Sequence, residues 1–142
     1  MEPAGMGLIL DSTFLIAAER QGKSVLQILE QIEAAFGAVD IGISVVAIAE
    51  LVHGAYRAQD ETRKQRRLKF VESLCADVPI YPLTLGVART IGRLDGELEG
   101  HGVSVAFEDL AIGATALALG FEVATANLRH FQSIPGLKVV AI

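Results

Sequence analysis

The chain passes from a strand pattern to a helical pattern within one segment, Gly7-Leu8-Ile9-Leu10-Asp11-Ser12-Thr13-Phe14-Leu15-Ile16. A strand is expected over residues 6–11, followed by a helix that runs toward Arg20 and that Asp11 or Ser12 could cap. A short strand that is apolar on both faces is typical of a parallel sheet covered by helices on each side. The segment therefore predicts a buried strand that leads directly into a helix.

The same alternation of strand and helix continues along the chain. Further strands are expected at residues 41–45, 78–81, 121–125 and 137–142, and Pro79 suggests that the strand containing it lies at an edge. Helices are expected at residues 24–36, 44–58, 60–74, 85–100 and 107–119. We therefore predict an α/β fold with a mainly parallel central sheet of four to five strands flanked by helices. Asp11 and Asn127, which follow strands, would then stand at the same edge.

Length and composition fit one domain over residues 1–142, with residues 1–5 as a loose N-terminal tail. The chain has 142 residues, of which 51% are hydrophobic and only 6% aromatic, so aliphatic side chains must fill the core. The sequence shows no apolar run of membrane-spanning length and no signal-peptide pattern, and the lone Cys75 cannot form an internal disulfide. These features predict a cytoplasmic protein that does not enter membranes.

Three acidic residues, Asp11, Glu50 and Asp109, lie in separate apolar stretches of the sequence. A carboxylate in apolar surroundings is costly unless something pairs with it, and hard divalent cations prefer oxygen ligands of this kind. The first hypothesis is therefore a metal site assembled from distant parts of the chain.

Each of these acids also has a plain structural interpretation. Asp11 could cap the helix that follows it. Glu50 could be a surface residue paired with Arg57 or His53 on its own helix. Asp109 could be a first-turn acid favoured by the helix dipole, as could its neighbour Glu108, although the small and apolar face of its helix indicates packing.

The charge of the chain is unevenly distributed. The formal net charge of −5 predicts weak non-specific attraction to nucleic acids for the molecule as a whole. A basic run nevertheless occupies one predicted helix, with Leu68, Val71 and Leu74 as its expected apolar side. Its members are Arg63, Lys64, Arg66, Arg67 and Lys69. Such a run is usually a solvated helix face, and only a neighbouring acidic metal site would favour contacts with phosphates.

Four segments carry a resemblance to a known family. They are Leu8-Ile9-Leu10-Asp11-Ser12-Thr13-Phe14-Leu15-Ile16, Ile43-Ser44-Val45-Val46-Ala47-Ile48-Ala49-Glu50-Leu51-Val52-His53-Gly54, Phe107-Glu108-Asp109-Leu110-Ala111-Ile112-Gly113-Ala114-Thr115-Ala116-Leu117-Ala118 and Val123-Ala124-Thr125-Ala126-Asn127-Leu128-Arg129-His130-Phe131. Together they resemble the PIN domain, and most closely the VapC-type ribonuclease toxins of bacterial toxin–antitoxin pairs. A strand that ends in Asp-Ser-Thr is common, whereas all four segments in order are specific.

The resemblance implies a small α/β fold whose clustered acids bind Mg²⁺ or Mn²⁺ and hydrolyse RNA phosphodiester bonds. By position, Asp11, Glu50 and Asp109 would be the catalytic residues and the metal ligands, directly or through water, and Thr13 would support the site by hydrogen bonding. It further implies a VapB-type antitoxin as the partner and a homodimer as the assembly. We therefore interpret the chain as a metal-dependent endoribonuclease toxin.

The chain departs from the fullest family pattern at two positions. Many relatives have an additional Asp where this sequence has Asn127, in Thr125-Ala126-Asn127, and His130 occupies a place that is often acidic. Asn127, His130 and Glu108 are therefore candidates for supporting roles at the site.

Three alternatives remain at the level of the sequence. The chain could be a catalytically inactive α/β binding module, or a nuclease of the same family without an antitoxin. A haloacid-dehalogenase-like phosphatase also begins with a strand that ends in Asp, but it requires a second Asp at the position of Thr13.

Overall fold

The computed structural model describes residues 7–142 of the chain. The tail expected at residues 1–5, and Met6 at the start of the first predicted strand, lie outside the described residues. Within the described range, no helix is long and apolar enough to cross a membrane.

Within residues 7–142, five strands form the central sheet. They are β1 (Gly7–Leu10), β2 (Asp40–Ser44), β3 (Ile80–Tyr81), β4 (Glu122–Thr125) and β5 (Val139–Ala141). Their order is β3-β2-β1-β4-β5, and every pairing is parallel. The predicted parallel sheet is confirmed, and the strand after Pro79 does lie at an edge.

Helices cover both faces of this sheet and match the predicted ranges closely. They are α1 (Ser12–Arg20), α2 (Val25–Phe36), α3 (Val45–Arg57), α4 (Glu61–Asp77), α5 (Leu85–Gly100) and α6 (Phe107–Leu119). Ser24 and Gln27 form a capping box at the start of α2, and Gly37 ends that helix at φ +80°. Helix α4 continues past residue 74 through three exposed residues, and the Val78 N–H closes its last turn by donating to the Leu74 carbonyl at 2.9 Å.

The core lies on both sides of β1. Leu8, Ile9 and Leu10 are at most 3% exposed, since β1 has a paired strand on each side and helices above and below. The carboxyl end of this central strand is therefore buried. The next residue, Asp11, is buried with it.

One member of the basic run, Arg67, is part of the core. Its Nε donates to Glu19 Oε1 at 2.8 Å and its Nη1 donates to the Leu51 carbonyl at 3.4 Å. A Cβ atom at Gly54 would lie 2.6 Å from Arg67 Nη1, so glycine leaves the room that the guanidinium occupies. The prediction that the whole run is solvated or contacts phosphates is wrong for Arg67, because tertiary packing turns this residue inward beside Phe70.

The buried Arg67–Glu19 pair makes a stability prediction. Arg67→Ala leaves the Glu19 carboxylate buried without its partner, which typically costs about 3–5 kcal/mol of unfolding free energy. Arg63→Ala removes an exposed arginine from the same helix and should change stability by no more than about 0.5 kcal/mol. Urea denaturation of the two variants measures the difference, and equal losses would show that the buried pair does not tie α4 to α1.

Candidate active site

Two neighbouring strands place polar side chains at the same end of the sheet, where the carboxyl ends of the strands lie. Asp11 follows β1 and Thr125 ends β4, and these strands are adjacent, with Leu10 aligned to Ala124. The Asp11 N–H donates to the Ala124 carbonyl at 2.9 Å, which continues the ladder by one residue. This edge is where sites form in open parallel sheets.

The Asp11 carboxylate is buried, with its residue only 1% exposed. Its Oδ2 atom accepts hydrogen bonds from the hydroxyls of Thr13 and Thr125, the latter at 2.8 Å. Its Oδ1 atom has no hydrogen-bond partner, and it is the only such buried side-chain atom among residues 7–142. Asp11 stands at the N-cap position of α1, but its side chain makes no capping bond, so the cap interpretation of this carboxylate is wrong.

Glu50 reaches the same region from α3. Ser12 Oγ donates to Glu50 Oε1 at 2.8 Å, and no ion pair joins Glu50 to Arg57 or His53 within the described residues. The alternative interpretation, in which Glu50 pairs with Arg57 or His53 at the surface, is therefore wrong. Burial raises the pKa of Glu50, the bond from Ser12 opposes that increase, and the nearby carboxylates of Asp11 and Glu108 add to it.

Asp109 lies in the first turn of α6 and faces the other two acids. Burial raises the pKa of Asp109 to about 6, the nearby His130 opposes the increase, and Asp11, Glu50 and Glu108 raise it further. The Nδ1 atom of His130 lies 3.8 Å from Asp109 Oδ2. Acids from three distant segments thus lie close enough to repel one another, as the sequence hypothesis requires.

Asn127 and His130 lie beside these acids. The Nδ2 atom of Asn127 is 3.0 Å from His130 Nε2, and the Asn127 N–H donates to Thr125 Oγ1 at 2.9 Å. If the amide donates to Nε2, the imidazole proton is on Nδ1, which is the atom that faces Asp109. These contacts connect Asn127 and His130 to both Asp109 and Asp11, whereas Glu108 stands on the exposed side of the acids.

Two hydroxyl residues at the site, Ser12 and Thr125, were not singled out as site residues from the sequence. Both are buried, at 5% and 0% exposure, and each fixes one carboxylate through a hydrogen bond. The available signal was their position directly after or at the end of an apolar strand.

A groove of about 800 Å³ opens next to the acids between α1, α3, α4 and α6. Glu50 and Glu108 form its acidic part, and Ile16, Val46 and Phe107 form its apolar part. Phe107 is 56% exposed there. Glu50 and Glu108 are therefore accessible from this groove, whereas Asp11 lies buried behind them.

The composition of the site suits a hard cation, but the side chains do not close around one as they stand. Carboxylate oxygens are the ligands that Mg²⁺ and Mn²⁺ prefer, and Asp11 Oδ1 is buried without a partner. From Gly7 onward, however, no group of three or more His, Cys, Asp or Glu side chains is arranged so that it could hold a metal ion. Binding would require side-chain rotation or bridging waters, and the three-ligand set stays a prediction.

The chain is similar in sequence and fold to known proteins. Residues 8–137 match the sequence profile of the family described as PIN domain. Ribonuclease VapC1 from Rickettsia felis is 29% identical over 137 residues, 96% of this chain and 97% of the relative. The tRNA(fMet)-specific endonuclease VapC from Salmonella typhimurium is 30% identical over 97 residues, 68% of this chain and 71% of that protein. The crystal structure of DNA-bound VapBC from Salmonella typhimurium has a TM-score of 0.79 at 25% identity, covering 96% of this chain and 98% of that chain.

The raised pKa of Asp109 predicts a pH dependence of stability in chelator. Because its folded pKa of about 6 exceeds the unfolded value, the folded state binds a proton first as the pH falls. The contribution of Asp109 to the unfolding free energy should therefore increase by about 1–3 kcal/mol from pH 7 to pH 4. Asp109→Asn should lose this change, whereas Asp40→Asn, at an exposed acid in β2, should keep it. Parallel urea titrations test this, and identical pH profiles for all three proteins would contradict it.

Proposed function

Because the chain belongs to the PIN domain family, we propose that it is a metal-dependent endoribonuclease that acts as the toxin of a toxin–antitoxin pair. The observation that carries the proposal is the meeting of Asp11, Glu50 and Asp109 at one sheet edge, with Asp11 Oδ1 buried and unpartnered. The relatives named ribonuclease and endonuclease support RNA as the substrate class.

The proposed metal ligands are Asp11 and Asp109, with Glu50 acting directly or through a water molecule. A bound Mg²⁺ or Mn²⁺ ion would polarise the scissile phosphate and lower the pKa of a bound water. The protein contributes orientation, since Thr13 and Thr125 both hold Oδ2 of Asp11 and leave Oδ1 free. Ser12 holds one oxygen of Glu50 in the same way.

The proposed protein partner is a small VapB-type antitoxin. A solved neighbour at 25% identity is VapBC-5 from Mycobacterium tuberculosis, described as a member of the VapBC family of toxin–antitoxin systems, and its TM-score is 0.74. An acid cluster beside an apolar groove suits a helical segment that carries an Arg or Lys side chain to the carboxylates. Such a segment would occupy the position of the cation and block the substrate. A homodimer stays a prediction.

The first prediction of this proposal concerns the carboxylates. Asp11→Asn and Asp109→Asn remove charges that the cation needs, so the rate of RNA cleavage should fall by more than about a hundredfold. Loss of a residue that only orients a metal ligand usually lowers activity by about 10–100-fold. Asp40→Asn makes the same change at the amino end of β2 and should retain activity. The measurement is cleavage of total bacterial RNA in the presence of manganese. In cells, induction of the wild type should arrest growth, and co-expression of the antitoxin should restore it.

The amide variants also separate the nuclease from an inactive binding module. In chelator they should unfold at the same or a higher temperature than the wild type, because one of the mutually repelling charges is gone. Loss of stability in both variants, or absence of cleavage by the wild type with any divalent cation, would favour a structural role for the acids.

A second prediction concerns the hydroxyl that holds Asp11. Thr125→Val keeps the side-chain shape but removes the bond to Oδ2, so activity should fall by about 10–100-fold, as for other residues that orient a metal ligand. Thr115→Val is the matched control, because the Thr115 hydroxyl is also buried but donates to the Ala111 carbonyl within α6. Equal effects of the two substitutions on cleavage would show that the loss comes from stability alone.

A further inference from the structure

A second cavity, of about 610 Å³, is lined by five arginines. They come from three helices and are Arg20 of α1, Arg57 of α3, and Arg63, Arg66 and Arg67 of α4. Glu19 is the acid in its wall, and it is already paired with Arg67. The cavity is thus strongly basic although the chain carries a formal net charge of −5.

The four remaining arginines are exposed and have no acidic partner within residues 7–142. Arg20 and Arg57 lie in the last turns of their helices, where the helix dipole favours a cation. That explanation fails for Arg63, because it stands in the first turn of α4, where a cation is unfavourable. Arg63 also has Arg66 and Arg67 three and four residues further on, and like charges at those spacings repel. Helix stability therefore does not account for this arrangement.

The arginine cavity adjoins the groove that contains Glu50 and Glu108. Arg20, Gly54 and Arg67 line both of them. Glu50 and Arg57 are seven residues apart in α3, which places them on the same helix face about 10 Å apart along the axis. A strand whose scissile phosphate lies at the acids therefore needs to continue only a short distance to reach the arginines.

We infer that this cavity binds the phosphate backbone of the RNA substrate on one side of the cleavage position, through Arg20, Arg57, Arg63 and Arg66. Guanidinium groups bind phosphate oxygens through paired, charge-assisted hydrogen bonds, and a polyanion relieves the repulsion among them. The inference rests on the proposed ribonuclease function. Arg67 is a positioning residue, because Glu19 occupies its Nε and the Leu51 carbonyl accepts from Nη1. An acidic protein segment is the competing occupant, but the continuity with the acid groove favours the substrate.

The test compares two variant pairs with one control pair. Arg57→Gln/Arg63→Gln and Arg20→Gln/Arg66→Gln each remove two cavity charges, whereas Arg89→Gln/Lys138→Gln removes two exposed charges outside the cavity. Binding of a labelled single-stranded RNA oligonucleotide is measured in chelator over a range of salt concentrations. Each cavity pair should weaken binding by about tenfold or more and reduce the salt slope by about 1.4, which corresponds to two phosphate contacts on a single strand. The control pair should retain the wild-type slope.

Two further arms identify the occupant and separate this inference from the proposed function. In manganese, the cavity variants should show a higher KM for RNA with kcat largely retained, because the arginines bind substrate away from the reacting atoms.

If the wild type cleaves RNA but the cavity pairs match the control pair in affinity and salt slope, the inference is wrong while the proposed function stands. If the cavity pairs lose binding of a polyglutamate peptide and not of RNA, the cavity binds an acidic protein segment and the inference is overturned. If the wild type binds RNA without cleaving it, the proposed function fails while the salt slopes still decide the inference.

Discussion

A carboxylate buried at the end of the central strand is the constraint on which the site depends. Asp11 cannot reach bulk solvent, because β1 is paired on both edges and covered on both faces. Thr13 and Thr125 donate to one of its oxygens, and the other has no partner among the residues from Gly7 onward. A buried polar atom without a partner is costly, and a cation bound as proposed would compensate that cost.

Burial also raises the pKa values of the two neighbouring acids, Glu50 and Asp109, and the Asp11 carboxylate adds to that increase. Glu50 and Asp109 come from helices that pack against β1 and its neighbours, and this packing brings their carboxylates near Asp11. Repulsion among these carboxylates opposes folding, and a cation bound as proposed would relieve it. Strained or destabilised arrangements of this kind are typical of functional sites and are maintained by the rest of the structure.

Charge is separated between two adjoining surface cavities that share Arg20, Gly54 and Arg67. The acidic end is built at the carboxyl edge of the sheet, and the basic end is built where α1 and α3 terminate against α4. The buried Arg67–Glu19 pair lines the basic cavity and joins α4 to α1, and Arg67 also lines the acidic groove. This arrangement matches the proposed RNA substrate. One phosphate would react at the acids, and neighbouring phosphates would make ionic contacts with the arginines. An overall negative charge then limits non-specific attraction to nucleic acid elsewhere on the surface.

The order and type of the helices and strands could be predicted from the sequence, because strand and helix patterns, caps and glycine stops are local. The bounds of α5 and α6 agree with the predicted ranges, and the three acids fall where apolar patterns end or are interrupted. Other features depend on tertiary packing. Arg67 is buried while Arg63 and Arg66 are exposed, Ser12 and Thr125 donate to carboxylates, and five arginines line one cavity. The physical reason is that local sequence sets helix formation, whereas the rotation of each helix, and therefore the neighbours of each side chain, depends on packing between residues distant in the chain.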